Sequence, residues 1–245
     1  MIKAEVTKNY NGITISGDYY DLSELVDAIY TITNIYDTSD KYYTFSTFFL
    51  GLCYDIRHAS MGDREFELID TGLKEDNWFD LDHKSKNIYF SFNYVMVGLL
   101  FPIFGFIYRK DELLEMYLNK NRTNVNEVIR TKKAIGILTS FCTLIIEKFY
   151  EFIGDDEASK LHRCASKNLF VNDFLGPFIS KCDIDYLNTN KDKKKRKIVN
   201  ILNHIIKQDS VYTNMKEVYE DYAFENNICI NALDYNVEYP EEIDW

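Results

Sequence analysis

The stretch GLCYDIRHASMGDREFELIDTG, Gly51 to Gly72, crowds Asp55, Arg57, His58, Asp63, Arg64, Glu65 and Glu67 into a short span. These residue types in proximity can do acid–base chemistry on an anion. His58 would exchange protons near neutral pH, Asp63 or Glu65 would orient its ring, and Arg57 and Arg64 would grip a phosphate-like group, with Asp55 completing the binding set. The positioning element predicted for them is a β-hairpin, Cys53 to Ile69 folding back about Met61, with Gly62 left-handed in a three-residue loop. That register sets Ile56 opposite Phe66, Arg57 opposite Glu65 and Asp55 opposite Glu67. The plainer reading is a solvated face, on which Arg57 relieves carboxylate repulsion at about 0.2–1 kcal/mol per pair.

A second group lies in the C-terminal half. KDKKKRK, Lys191 to Lys197, precedes a helix that carries His204. Lys193, Lys194, Lys195, Arg196 and Lys197 could attract phosphates, although a charge run at a helix start is commonly a solvated face. The helical half is similar to ribonucleases of the HEPN type, in which an Arg and a His share a helix face. Here seven residues separate Arg196 from His204, one more than that family's longest spacing, so the match is incomplete. His162, Cys164, Cys182 and His204 lack the doubly paired spacing of structural zinc, and no metal ligand set or cofactor is assigned. The phosphate-cradling GxxxxGK[ST] and GxGxxG loops, the GxSxG elbow and the HxE…PCxxC deaminase pattern are all absent.

The whole chain bounds these options. With 245 residues, 46% hydrophobic and 16% aromatic, it can bury a sizeable core rich in Tyr and Phe. A formal charge of -11 opposes a surface that grips nucleic acid throughout. Five dispersed cysteines without a CxxC fit a reducing compartment, and MIKAEVTKNYNG has no apolar signal core, so the expected location is cytoplasmic. Ile88 to Tyr108 runs 21 residues without a charge, the length of a membrane span. Its early alternation and its symmetric basic flanks favour a buried strand ending at Asn93 and a buried helix after it.

Along the chain, Gly12–Gly17 reads as a strand, and Asp21 with Glu24 as the capping box of a helix carrying Leu22, Leu25, Val26 and Ile29. Tyr42 to Ile56 is aromatic and β-branched enough for a strand. Asp37–Lys41 and Lys74–Asp82 read as loops. Asn124 and Glu127 cap a helix ending near Gly154; another begins at Asp155 or Asp156, and Gly176-Pro177 interrupts the chain beyond it. A helix after Lys197 should bury Ile198, Ile201, Leu202, Ile205 and Ile206. A last helix covers about Met215 to Glu225, Asn227–Tyr235 could be a strand, and the acidic tail YPEEIDW is expected to be loosely held. The predicted fold is therefore α+β: a small, mainly antiparallel sheet with an N-terminal helix (1–93), and a mainly helical region (94–245) packed on it, the two sharing one core.

SGDYYDLSELVDAI and GLCYDIRHASMGDREFE resemble a family of small proteins from Gram-positive bacteria and mobile elements that combine ISGDYxDLxEL with YDIRHAxxGDRE. The likeness covers roughly the first 95 residues, fades through the helical half and carries no catalytic assignment. It implies a soluble protein in which Asp18, Tyr19, Asp55, Arg57, His58, Gly62, Asp63, Arg64 and Glu65 recur. The expected function is non-enzymatic binding of another protein or a small anionic ligand, in conflict between bacteria and phage, with homo-oligomerisation left open. The alternative is an enzyme acting on a phosphate-bearing substrate, at His58 or, as a ribonuclease, at Arg196 and His204.

Overall fold

Alternation decides the sheet. In β2 (Gly12–Asp18) Ile13 and Ile15 are fully buried while Thr14 and Ser16 face the other way. β1 (Lys3–Val6), β3 (Glu65–Asp70) and β4 (Lys86–Val95) join it in one antiparallel sheet of order β1-β2-β4-β3. Ile15 lies opposite Phe92, and Phe66 opposite Phe90. The computed structural model describes residues 1–33, 42–70, 86–120, 124–168, 176–230, 233 and 238–245. The expected loops at Asp37–Lys41 and Lys74–Asp82 lie outside them.

Helix α1 (Tyr19–Ile32) starts earlier than expected. Its N-cap is Asp18, which accepts the Asp21 N–H at 2.9 Å, and Asp21 completes the capping box in place of Glu24. The strand expected over Tyr42–Ile56 is instead helix α2 (Tyr43–Ser60). Phe45, Phe49, Leu52, Cys53, Ile56 and Ala59 recur every three or four residues and are all buried. That helical period prevails over the strand propensity of the aromatic residues, because a continuous apolar stripe packs on the sheet and on α1.

The uncharged run from Ile88 divides between β4, which continues through Asn93 to Val95, and α3 (Met96–Lys120). Asn93 does not end the strand, because its Oδ1 is satisfied by the Thr14 hydroxyl at 2.6 Å. Met96, Val97, Leu99, Leu100, Phe101, Ile103, Phe104 and Phe106 are all fully buried, so the first turns of α3 are apolar around the whole circumference and form a central core helix. Among the described residues, no helix is long and apolar enough to cross a membrane.

Helix α4 (Val125–Ile153) is capped by Asn124 and ends at Gly154; α5 (Asp155–Asn168) comes at once after it, and Gly176-Pro177 opens α6 (Gly176–Leu187). A short 3-10 turn (Lys191–Lys193) leads into α7 (Lys194–Lys207), which buries the five expected aliphatic residues, and α8 spans Ser210–Glu225. The fold is α+β, and one buried cluster extends from Ala4 through Tyr212. No described residue between Asn227 and Tyr235 belongs to a strand.

One member of the basic run is not on the surface. Lys194 is buried, with its ammonium on Asn11 Oδ1 (2.6 Å) and on the carbonyls of Tyr186 (2.8 Å) and Leu187 (3.2 Å), and 4.6 Å from the centre of the Tyr186 ring. It closes the C-terminus of α6, where carbonyls lack helical partners. Burial lowers its pKa to about 8. Replacing Lys194 with Met strands those three acceptors, and chemical denaturation should show a loss of about 2–4 kcal/mol.

Candidate functional site

The predicted hairpin is a helix–turn–strand corner. Asp55, Arg57 and His58 sit in the last two turns of α2, Asp63 and Arg64 in the turn, and Glu65 opens β3 opposite Ser91. Gly62 is left-handed (φ 87°) as expected, but it closes a helix: its N–H reaches the Ala59 carbonyl at 2.9 Å. Arg57 therefore does not face Glu65. Its guanidinium donates instead to the Tyr30 hydroxyl at 3.1 Å. Arg64 pairs with Asp55 at 2.7 Å, and His58 Nδ1 meets Asp63 Oδ2 at 2.8 Å beside the Tyr54 ring.

This corner splits the predicted set. Asp55, Arg64 and Glu65 line a cavity of about 650 Å³, whereas Arg57, His58 and Asp63 are not among its lining residues. The other walls are β4 (Ser91 to Val95), Phe48, Gly98, Asp183 and the C-terminal residues Tyr239, Ile243 and Trp245. β3 pairs β4 only as far as Ser91, so Phe92–Val95 have a strand neighbour on the β2 side alone, and the cavity lies along this stretch.

Asp183 is the residue the sequence reading missed. It is fully buried and caps α3 from another helix: Val97 N–H donates to Oδ1 and Gly98 N–H to Oδ2, both at 3.0 Å, and the Tyr239 hydroxyl donates to Oδ2 at 3.2 Å. Burial raises its pKa to about 7, while these three donors pull the other way. Its signal was present in ISKCDIDYL: Ile179, Cys182, Asp183 and Tyr186 share the buried stripe of α6, which puts a carboxylate at a core position. Gly98 is required there, since a Cβ would lie 2.7 Å from Asp183 Oδ2. Residue 102 is Pro, so the Gly98 carbonyl also lacks its i+4 donor. Tyr94 is pushed well above its ordinary pKa by burial first, then by the charges of Asp55 and Asp183.

The tail is held where it was expected to be loose. Asn11 Nδ2 donates to the Asp244 carbonyl at 2.7 Å, Tyr239 reaches Asp183, and the Trp245 ring packs against Gly12. Among the described residues no group of three or more His, Cys, Asp or Glu is arranged to hold a metal. His162 binds the Tyr108 hydroxyl at 2.8 Å, His204 binds Asp209, and Cys182 is buried.

An α+β core with an acidic cavity between sheet edge, helix terminus and tail thus defines the architecture. The chain belongs to the family described as a domain of unknown function (DUF6904), whose model matches residues 2–245. No curated protein and no solved structure matches it.

The Asp183 assignment has a titration signature. With its pKa raised from 3.8 to about 7, the folded state keeps a proton that the unfolded chain has lost. Stability from this group is complete below pH 3.8 and falls as pH rises to 7, on the order of 4 kcal/mol in all. Asp183→Asn cannot titrate, so the stability difference between wild type and variant should change steeply across that window and level off above it in denaturation at stepped pH.

Proposed function

We propose that the protein is a non-enzymatic, cytoplasmic binding protein whose cavity accepts a basic segment of another protein. The observation that carries this reading is the lining: Asp55 and Glu65 stand against one guanidinium, Arg64, that Asp55 already engages, and the buried Asp183, only partly ionised near pH 7, adds to the negative side behind them. Such a site attracts a Lys or Arg side chain and repels a small anion, and the net charge of -11 steers a basic partner towards it. Of its carboxylates, Asp55 is engaged by Arg64 and Asp183 by Val97, Gly98 and Tyr239. The singly flanked stretch Phe92–Val95 offers backbone groups to an extended peptide. Free cysteines support a reducing compartment. The resemblance of the first 95 residues to proteins of mobile elements supports a role in conflict between bacteria and phage.

A second reading, an enzyme on a phosphate-bearing substrate, has one observation in its favour: Asp63 orients His58 at 2.8 Å. Arg57 and Arg64, the anion clamp that reading needs, are directed to Tyr30 and Asp55.

Titration of Trp245 fluorescence with short basic, neutral and acidic peptides tests the first reading. Basic peptides should bind saturably, and Asp55→Asn with Glu65→Gln should weaken them at least about tenfold. Binding of acidic peptides alone, or of none, would refute it. Generic phosphomonoesters and phosphodiesters should not turn over; turnover that His58→Ala abolishes would establish the second reading.

A further inference from the structure

We infer that the cation taken by the acidic cavity is a methylated ammonium, and that the aromatic walls of the cavity select it over an unmodified Lys or Arg. The inference rests on the reading of this cavity as a site for a basic segment, and it names the chemistry of the group that enters.

The walls come first. Five of the fourteen residues that line the cavity are aromatic, in a chain that is 16% aromatic. They arrive from three directions: Phe48 from α2, Phe92 and Tyr94 from β4, Tyr239 and Trp245 from the C-terminal residues. Phe92 and Tyr94 stand two apart on one strand, so they share a face. Phe48 is held by an edge contact with Phe101, ring centres 5.3 Å apart. The Tyr239 hydroxyl is tied to Asp183, and the backbone of the last two residues is tied by Asn11 to the Asp244 carbonyl and by Asn9 to the Trp245 carbonyl at 3.4 Å. Rings fixed around an acidic space suit an organic cation, which is attracted to their π faces.

The hydrogen bonds then choose among cations. A Lys ammonium carries three N–H donors and an Arg guanidinium five, and each donor that leaves water needs an acceptor. The cavity's carboxylates spend their oxygens on the protein itself. Asp183 Oδ1 accepts from Val97, its Oδ2 accepts from Gly98 and Tyr239, and Asp55 Oδ1 accepts from Arg64. Their negative charge remains, but acceptors are scarce. A trimethylammonium keeps its positive charge and has no N–H to satisfy, while its methyl groups pack against the rings. The volume of about 650 Å³ admits such a side chain together with the backbone that carries it.

Calorimetric titration of the full chain with one short peptide in three forms tests this: a single Lys unmodified, the same Lys trimethylated, and a neutral isostere with carbon in place of the quaternary nitrogen. Tetramethylammonium chloride is the fourth probe and stands for a free small cation. The trimethylated peptide should bind at least about fivefold more tightly than the unmodified one, and the neutral isostere at least about tenfold more weakly than the trimethylated one. Tyr239→Leu and Trp245→Leu should each erase the preference for methylation. Tyr239→Phe keeps the ring while losing the bond to Asp183, so it should retain that preference; a merely structural Tyr239 would lose it in both variants. Equal binding of the unmodified and trimethylated peptides, or of the isostere and the trimethylated peptide, overturns the inference and leaves the basic-segment reading standing. Binding of tetramethylammonium but of no peptide, lost in Trp245→Leu, supports the inference with a free cation as its source and overturns the basic-segment reading. Binding of none of the four probes overturns both.

Discussion

Burying a carboxylate costs several kcal/mol unless donors replace the water it loses, and Asp183 is buried completely. Its compensation is the start of α3, whose first N–H groups have no partner within their own helix. The exchange is mutual: the helix terminus gains an acceptor, the carboxylate gains two amides, and the macrodipole favours the negative charge. Because the first turns of α3 are buried on all sides, fixing them also fixes the end of β4 and the cavity beside it.

Helix α6 is tied at both of its polar points. Asp183 joins it to α3, and at its other end Lys194 gathers the Tyr186 and Leu187 carbonyls together with Asn11. The Tyr186 hydroxyl adds a bond to the Tyr10 carbonyl at 2.6 Å. Buried polar groups with satisfied partners tolerate few alternative packings, so these contacts define how the helical region meets the β1–β2 turn.

Legibility in the sequence tracked the clarity of its periodicities. Ile13 and Ile15 alternate without competition, and Asn124, Gly154 and the aliphatic stripe of α7 are local signals that their own segments honour. Tyr42–Ile56 misled because aromatic content and a helical stripe conflict there, and only packing on the sheet and α1 decides between them. The Gly51–Gly72 stretch was legible as a concentration of charge but not as a geometry. Asp55 and Arg64 do meet, yet they do so across a helix-terminating turn, and His58 and Asp63 pair away from the cavity. Asp183, Tyr239 and Trp245 lie far from that stretch in sequence, and no local rule connects them to it. Lys194 was hidden among the five other basic residues of Lys191–Lys197, which look alike until the helix turns one of them inward.

The long reach of these contacts has a kinetic side. Asp183 meets Val97 across 86 residues, and Lys194 meets Asn11 across 183. Contacts of such separation form slowly, since each must close a large loop before it is rewarded. A ribosome-bound chain can assemble β1, β2 and α1 early, but the cavity has no third wall until Tyr239 to Trp245 have emerged. The cavity therefore exists only in chains that already carry Tyr239 to Trp245, and without them an open sheet edge stands in its place.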